Sequence, residues 1–182
     1  MSLPEIVQIT DVWDETRTIR TFVLDAELED AEPGQFVMLW LPGTDEKPFA
    51  IARPSPLTVT VARVGPFSTA LHRRQVGDRV GWRGPYGRGY RLHTECPALL
   101  VAGGYGSAPL YFLAMRAVEA GIPTSVAVGA RTALDLPYVD RLRELGVDLG
   151  TSTDDGWAGG RGDVTDVARR AATPGPMIRY DP

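Results

Sequence analysis

Short apolar runs, each closed by Gly or Pro, fill the first half of the chain. Residues 5–12 and 18–24 are rich in Ile, Val, Thr and Phe, and 35–41 lies between Pro33-Gly34 and Pro42-Gly43. Lys47 to Ala52 opens another strand. Residues 57–64 alternate through Thr58, Val59, Thr60 and Val61, the period of a half-buried strand, and 79–82 follows the turn Gly77-Asp78. One short helix is predicted over 68–74, just after Gly65-Pro66. Strands at this spacing, separated by Gly and Pro turns, predict an antiparallel barrel or sandwich.

The second half has a different rhythm. An apolar run over 98–102 ends in Gly103-Gly104-Tyr105-Gly106, and a helix over 108–120 ends at Gly121. A strand over 124–128, a helix over 136–145 closed by Gly146, a strand over 147–151 and a helix over 163–172 follow. Strands alternating with helices predict a parallel α/β sheet. With the boundary near 93–97, the chain divides into a β-barrel of residues 1–95 and an α/β domain of residues 96–182.

Composition narrows the function classes. Hydrophobic residues at 43% and charged residues at 23% are ordinary globular values, which argues against disorder. A net charge of −4 without Lys/Arg blocks argues against a nucleic-acid partner. The charge-free stretch 96–115 is as long as a membrane span, but its glycines and Pro109 make it a turn followed by a helix start. No membrane partner is expected, nor a secretory signal in Met-Ser-Leu-Pro-Glu, so the location expected is cytoplasmic. Cys96, the one cysteine, excludes an internal disulfide framework and cannot alone ligate zinc or an iron–sulfur cluster.

Five segments carry candidate chemistry. In Gly103-Gly104-Tyr105-Gly106-Ser107-Ala108-Pro109 a strand delivers the chain to glycines that tolerate positive φ, and a helix then starts. The free N–H groups and positive dipole end of that helix suit a pyrophosphate, although the spacing is not the strict dinucleotide fingerprint. Lys47-Pro48-Phe49-Ala50-Ile51-Ala52 combines a cation, a rigid residue and an aromatic; taken alone it reads as an edge strand with a surface lysine before it reads as a binding strand. Gly65-Pro66-Phe67-Ser68-Thr69 is a second phosphate seat or an ordinary helix cap. Gly84-Pro85-Tyr86-Gly87-Arg88-Gly89-Tyr90 is a Gly/aromatic loop that either joins the domains or faces a ligand. The carboxylates of Thr153-Asp154-Asp155-Gly156 have no histidine nearby in sequence, so they read as a nucleotide-facing loop rather than a metal site. His72 and His93 read as structural or surface residues.

In order, these motifs resemble the ferredoxin–NADP reductase superfamily, an antiparallel flavin-binding barrel followed by a parallel-sheet nicotinamide-binding domain. More narrowly, the chain is similar to electron-transfer subunits of two-subunit dihydroorotate dehydrogenases. Pro33-Gly34-Gln35-Phe36-Val37-Met38-Leu39-Trp40, Asp45 to Ala52, Gly129-Ala130-Arg131 and the segments above carry the likeness. It implies that Lys47, Pro48, Phe49, Ala50, Ile51 and Ala52 line the isoalloxazine of FAD, while Gly65, Ser68 and Thr69 hold its pyrophosphate. It places NAD on Gly103, Gly104, Gly106, Ser107, Ala108 and Pro109, with Arg131, Asp154 and Asp155 in the neighbouring loops. The implied reaction is hydride transfer between NAD and the flavin, then single electrons to a [2Fe–2S] cluster and an FMN-containing dihydroorotate dehydrogenase catalytic subunit, in a hetero-oligomer serving pyrimidine biosynthesis.

Three departures bear on this. Lys47 stands where the family often has Arg, and Ala50 where it usually has Ser. Gly175-Pro176-Met177 lacks the cysteine and spacing of the family's cluster-binding end, so a [2Fe–2S] cluster is not ligatable by this chain, and the last strand is expected to be missing. Two other readings stay open: a related reductase subunit serving ferredoxin or hydrogenase, or a non-catalytic assembly subunit that has lost flavin.

Overall fold

The computed structural model describes residues 3–161 and 164–171. The continuation of the last helix to 172, the expected missing strand and Gly175-Pro176-Met177 lie outside the described residues. Six strands form a closed barrel: β1 (Glu5–Asp14), β2 (Ile19–Leu24), β3 (Phe36–Leu41), β4 (Asp45–Arg53), β5 (Thr58–Ala62) and β6 (Arg79–Tyr86). Their spatial order is β1-β2-β5-β4-β3-β6, every pair is antiparallel, and β6 closes on β1. Alternation drives the closure. Ile9, Phe22, Leu24, Val37, Leu39, Leu41, Ile51, Val59, Val61 and Val80 point inward and are buried. Gly34, at φ +96°, supplies the left-handed turn into β3, where a Cβ would press on the Tyr90 ring.

Helix α1 (Pro66–His72) starts two residues earlier than expected. Proline's fixed φ suits a first helical turn, and the Ser68 hydroxyl accepts hydrogen bonds from Val64 N and Gly65 N at 3.0 Å, capping the entry.

The second unit contains β7 (Ala98–Gly103), α2 (Ser107–Glu119), β8 (Thr124–Ala130), α3 (Val139–Glu144), β9 (Asp148–Thr153), β10 (Gly160–Arg161) and α4 (Val164–Ala171). The four strands are parallel in the order β10-β9-β8-β7. The helix expected over 136–145 is shorter at its start. Pro137 forces Leu136 into an extended conformation (ψ 101°), and Tyr138 is left-handed at φ +67°, so helical geometry begins only at Val139.

The two cores interlock. Phe112 of α2 is fully buried in the barrel's apolar cluster, whereas Ala52 of β4 belongs to the cluster of the sheet, with Ala108, Leu113, Ala114, Val126 and Val128. The half-buried reading of β5 is therefore corrected. Thr58 and Thr60 are also buried, because the outer face of this strand lies beneath the second unit, where Tyr138 bonds to Thr60.

Candidate functional site

The carboxyl ends of β7, β8 and β9 place Gly103, Gly129 and Ser152 side by side in register. With Ala130, Arg131, Asp154 and Val164 they line a cleft of about 500 Å³. A Cβ at Gly103 or Gly106 would meet nothing within 4 Å, so the turn after β7 is open, whereas one at Gly129 would press on Val164 and the Ser152 hydroxyl. Positive φ was expected along this turn, but only Gly104 adopts it, at +50°; Gly106 has φ −63°. Openness, more than left-handed backbone, is what these glycines provide.

Ser107 and Ala108 face inward. Both are nearly fully buried, and the Ser107 hydroxyl donates to Gly104 O at 2.9 Å. Pro109 is the third residue of α2. Arg131 and Asp154 are exposed at the cleft, the Asp154 N–H donating to Ala130 O at 3.3 Å. Asp155 accepts from the Trp157 N–H at 3.1 Å. The Thr153 hydroxyl, and then the Trp157 amide, hold its carboxyl below the usual carboxylate range.

Ser152 is the residue that motif reading misses. It is 1% exposed, and its Oγ is one of two buried side-chain polar atoms among the described residues that have no hydrogen-bond partner; the other is Trp82 Nε1. An orphaned buried hydroxyl in a cleft wall fits a ligand that supplies the missing partner. The sequence signal was a polar residue aligned with Gly129, legible only once the strand register is known. Trp157, 87% exposed, was also missed; with Arg17, Leu134 and Asp155 it lines an adjacent cleft of about 490 Å³.

The barrel side meets this region at a seam. Helix α2 packs on β4, and the turn Gly104–Gly106 lies against β5. Along β4, Pro48 is exposed and Ala50 half-buried, while Ile51 and Ala52 are buried in the two cores. Lys47 pairs with Asp45 at 2.7 Å. The Phe49 ring stacks on Phe67, centroids 5.7 Å apart, which brings the Lys47 and Gly65 motifs together. A Cβ at Gly65 would meet nothing within 4 Å, whereas the Ser68 hydroxyl is committed to the cap and donates to Gly65 O at 3.1 Å. Thr69 is half-buried, its N–H donating to Gly65 O at 2.9 Å. Among the described residues no group of three or more His, Cys, Asp or Glu could hold a metal ion, and no helix is long and apolar enough to cross a membrane.

No protein-family model matches the chain. It is 40% identical over 167 residues to the dihydroorotate dehydrogenase B (NAD(+)), electron transfer subunit, of Methanothermobacter thermautotrophicus, covering 89% of this chain and 62% of that protein. The protein of the same name from Thermococcus kodakarensis is 39% identical over 183 residues, covering 96% of this chain and 76% of its own length. The chain thus spans about three-fifths of the length of several such relatives, as the 63% coverage of the Methanocaldococcus jannaschii protein repeats. Among solved structures, an NADH-dependent reduced ferredoxin-NADP oxidoreductase superposes with TM-score 0.82 and 29% identity, over 93% of this chain and 64% of that one. Phthalate dioxygenase reductase, at 20% identity and TM-score 0.73 over 84% of this chain and 52% of that one, shares the fold. The chain belongs to the family of dihydroorotate dehydrogenase B electron-transfer subunits.

Proposed function

We propose that this chain binds FAD on its barrel and NAD at its sheet, and passes electrons between NAD and an FMN-containing dihydroorotate dehydrogenase catalytic subunit. The observation that carries the reading is the cleft at the carboxyl ends of β7–β9, with an unpaired buried hydroxyl in its wall. Ligands of open parallel sheets bind outside the carboxyl ends of the strands. The names of the relatives support NAD as the nucleotide and a dehydrogenase as the partner.

Each group has a role the geometry permits. The start of α2 offers its positive dipole end to a pyrophosphate, and the open sides of Gly103 and Gly106 let it approach. The Ser152 hydroxyl donates to a ligand oxygen, and Asp154 accepts from ribose hydroxyls, which favours NAD over its 2′-phosphorylated form. Arg131 balances the phosphate charge.

The barrel residues fit FAD by shape and backbone more than by side-chain hydroxyls. The open Gly65 turn, Thr69 and the outward Pro48 and Ala50 would hold it, with Lys47 as the nearby cation. Bound here, FAD would supply the conversion between paired electrons from NADH and single electrons for a partner. The chain's share is to orient the two nucleotides across the seam where α2 meets β4.

The visible spectrum of the purified chain tests this. A flavin spectrum that NADH bleaches is expected, with faster turnover once a dihydroorotate dehydrogenase catalytic subunit and dihydroorotate are added. A colourless protein that takes up no added FAD would overturn the reading in favour of a non-catalytic assembly subunit, in line with the committed Ser68 and paired Lys47.

A further inference from the structure

A buried chain of hydroxyls crosses from the sheet into the barrel. Tyr138 OH lies 2.6 Å from Thr60 Oγ1, which lies 2.7 Å from Thr21 Oγ1. Thr21 Oγ1 in turn donates to Glu15 Oε1 at 2.7 Å. The same carboxylate oxygen accepts from Trp13 Nε1 at 2.8 Å and from Arg141 at 2.7 Å. Tyr138 and Arg141 belong to the second unit; the other four residues belong to the barrel.

Proton counting gives this chain one direction. A threonine hydroxyl has a single proton. Thr21 gives its proton to the Glu15 carboxylate, so Thr60 must donate to Thr21, and Tyr138 must donate to Thr60. Each hydroxyl is locked as donor toward the barrel, and the end point is a carboxylate whose side chain is only 8% exposed. Burial pushes the Tyr138 hydroxyl up to about 12, so it keeps the proton this arrangement needs.

Two further observations point to the same place. Tyr138 is the one non-glycine residue with positive φ among those described, a conformation that persists only where surroundings over-determine it. The Arg141 guanidinium lies over both Trp13 (4.4 Å to the ring centre) and Tyr138 (5.1 Å), a cation between one aromatic from each unit.

We infer that Glu15, Thr21, Thr60, Tyr138 and Arg141 form a one-way hydrogen-bonded latch that fixes the angle between barrel and sheet, making Tyr138 and Thr60 positioning residues for electron transfer across the seam. The electron-transfer half of this statement rests on the function proposed above; the latch itself does not. Remote positioning of this kind acts on the reacting geometry rather than on nucleotide affinity.

The test compares Thr60→Val, which keeps the shape and deletes the hydroxyl, with Thr60→Ser, which keeps the hydroxyl. Tyr138→Phe is the second deletion, and it retains the ring that packs on Tyr111. In Thr60→Val and Tyr138→Phe, amide hydrogen exchange is expected to rise about tenfold in both 13–21 and 136–142, since an unpaired buried hydroxyl loosens both sides. Flavin reduction at saturating NADH should slow with the KM for NADH unchanged, and Thr60→Ser should restore both readouts. Exchange that rises only in the barrel segment, or a serine variant that behaves like valine, would overturn the latch. A wild-type chain that carries no flavin would sink the proposed function, while the exchange readout would still decide the latch.

Discussion

Two serines show how the halves of the molecule differ. Ser68, at the barrel's helix, accepts two backbone N–H groups and donates to a carbonyl, so its hydroxyl is wholly engaged in the fold. Ser152, at the end of the sheet, is just as buried and bonds to nothing. At its helix the barrel satisfies the motif hydroxyl internally and leaves an open glycine turn beside it. The sheet leaves side-chain polarity unpaired at its strand ends, where a ligand can complete it. Resemblance in sequence marked Ser68 and passed over Ser152; their hydrogen bonding tells the opposite story.

The largest effect that would test this contrast comes from the residue the halves share. Phe112→Ala empties the barrel cluster from a helix of the sheet, and is expected to cost about 3–5 kcal/mol. Urea unfolding followed by circular dichroism and by tryptophan fluorescence should give coincident curves, since both regions lose the same support. Separate transitions would mean that the cores are not joined as described. Next come the serines themselves. Ser68→Ala should lower stability by about 1–2 kcal/mol through the lost cap. Ser152→Ala should change it by no more than about 0.5 kcal/mol while weakening NADH binding roughly fivefold, the worth of one hydrogen bond. Equal destabilisation by the two substitutions would erase the contrast.

The smallest effect concerns His72, which donates to Val61 O at 2.8 Å and lies edge-on to Phe22. Burial holds its pKa below the ordinary value, with the Val61 carbonyl opposing. The folded state therefore resists protonating this ring. Its contribution is complete above the unfolded value of about 6.5 and is lost as pH falls through the depressed folded value. Denaturation midpoints should decline as pH falls from about 6.5 toward that depressed value, and His72→Gln should flatten the decline. An unchanged slope in the variant would assign the acid sensitivity to other groups.

The barrel was legible because its inner face depends on local alternation: Val37, Leu39 and Leu41, or Val59 and Val61, announce themselves in a strand. The turn glycines and Pro66 likewise act on their own neighbours. What stayed hidden depends on a second element. Thr60 reads as a solvent-facing residue because nothing in its own segment says that Tyr138 will cover it. Phe112 reads as one more apolar residue of its helix, and only docking on β4 shows which core it fills. Pro137 was visible, yet the apolar run around it hides that it holds Leu136 extended, and nothing local announces the left-handed Tyr138. In the site, the glycine turn was found from sequence, while Ser152 needed the register of β8 against β9.

Helix α4 gives the cleft an uneven mechanical response. A Cβ at Gly129 would stand 2.7 Å from Val164 Cβ, and one at Gly150 would collide with Val167, so the helix already rests on bare backbone. It has no travel left toward the sheet, and Val164 is itself part of the cleft wall. Any breathing of that wall must run outward. The packed position of α4 is thus the narrow limit of the cleft's range, and whatever enters there can only widen it.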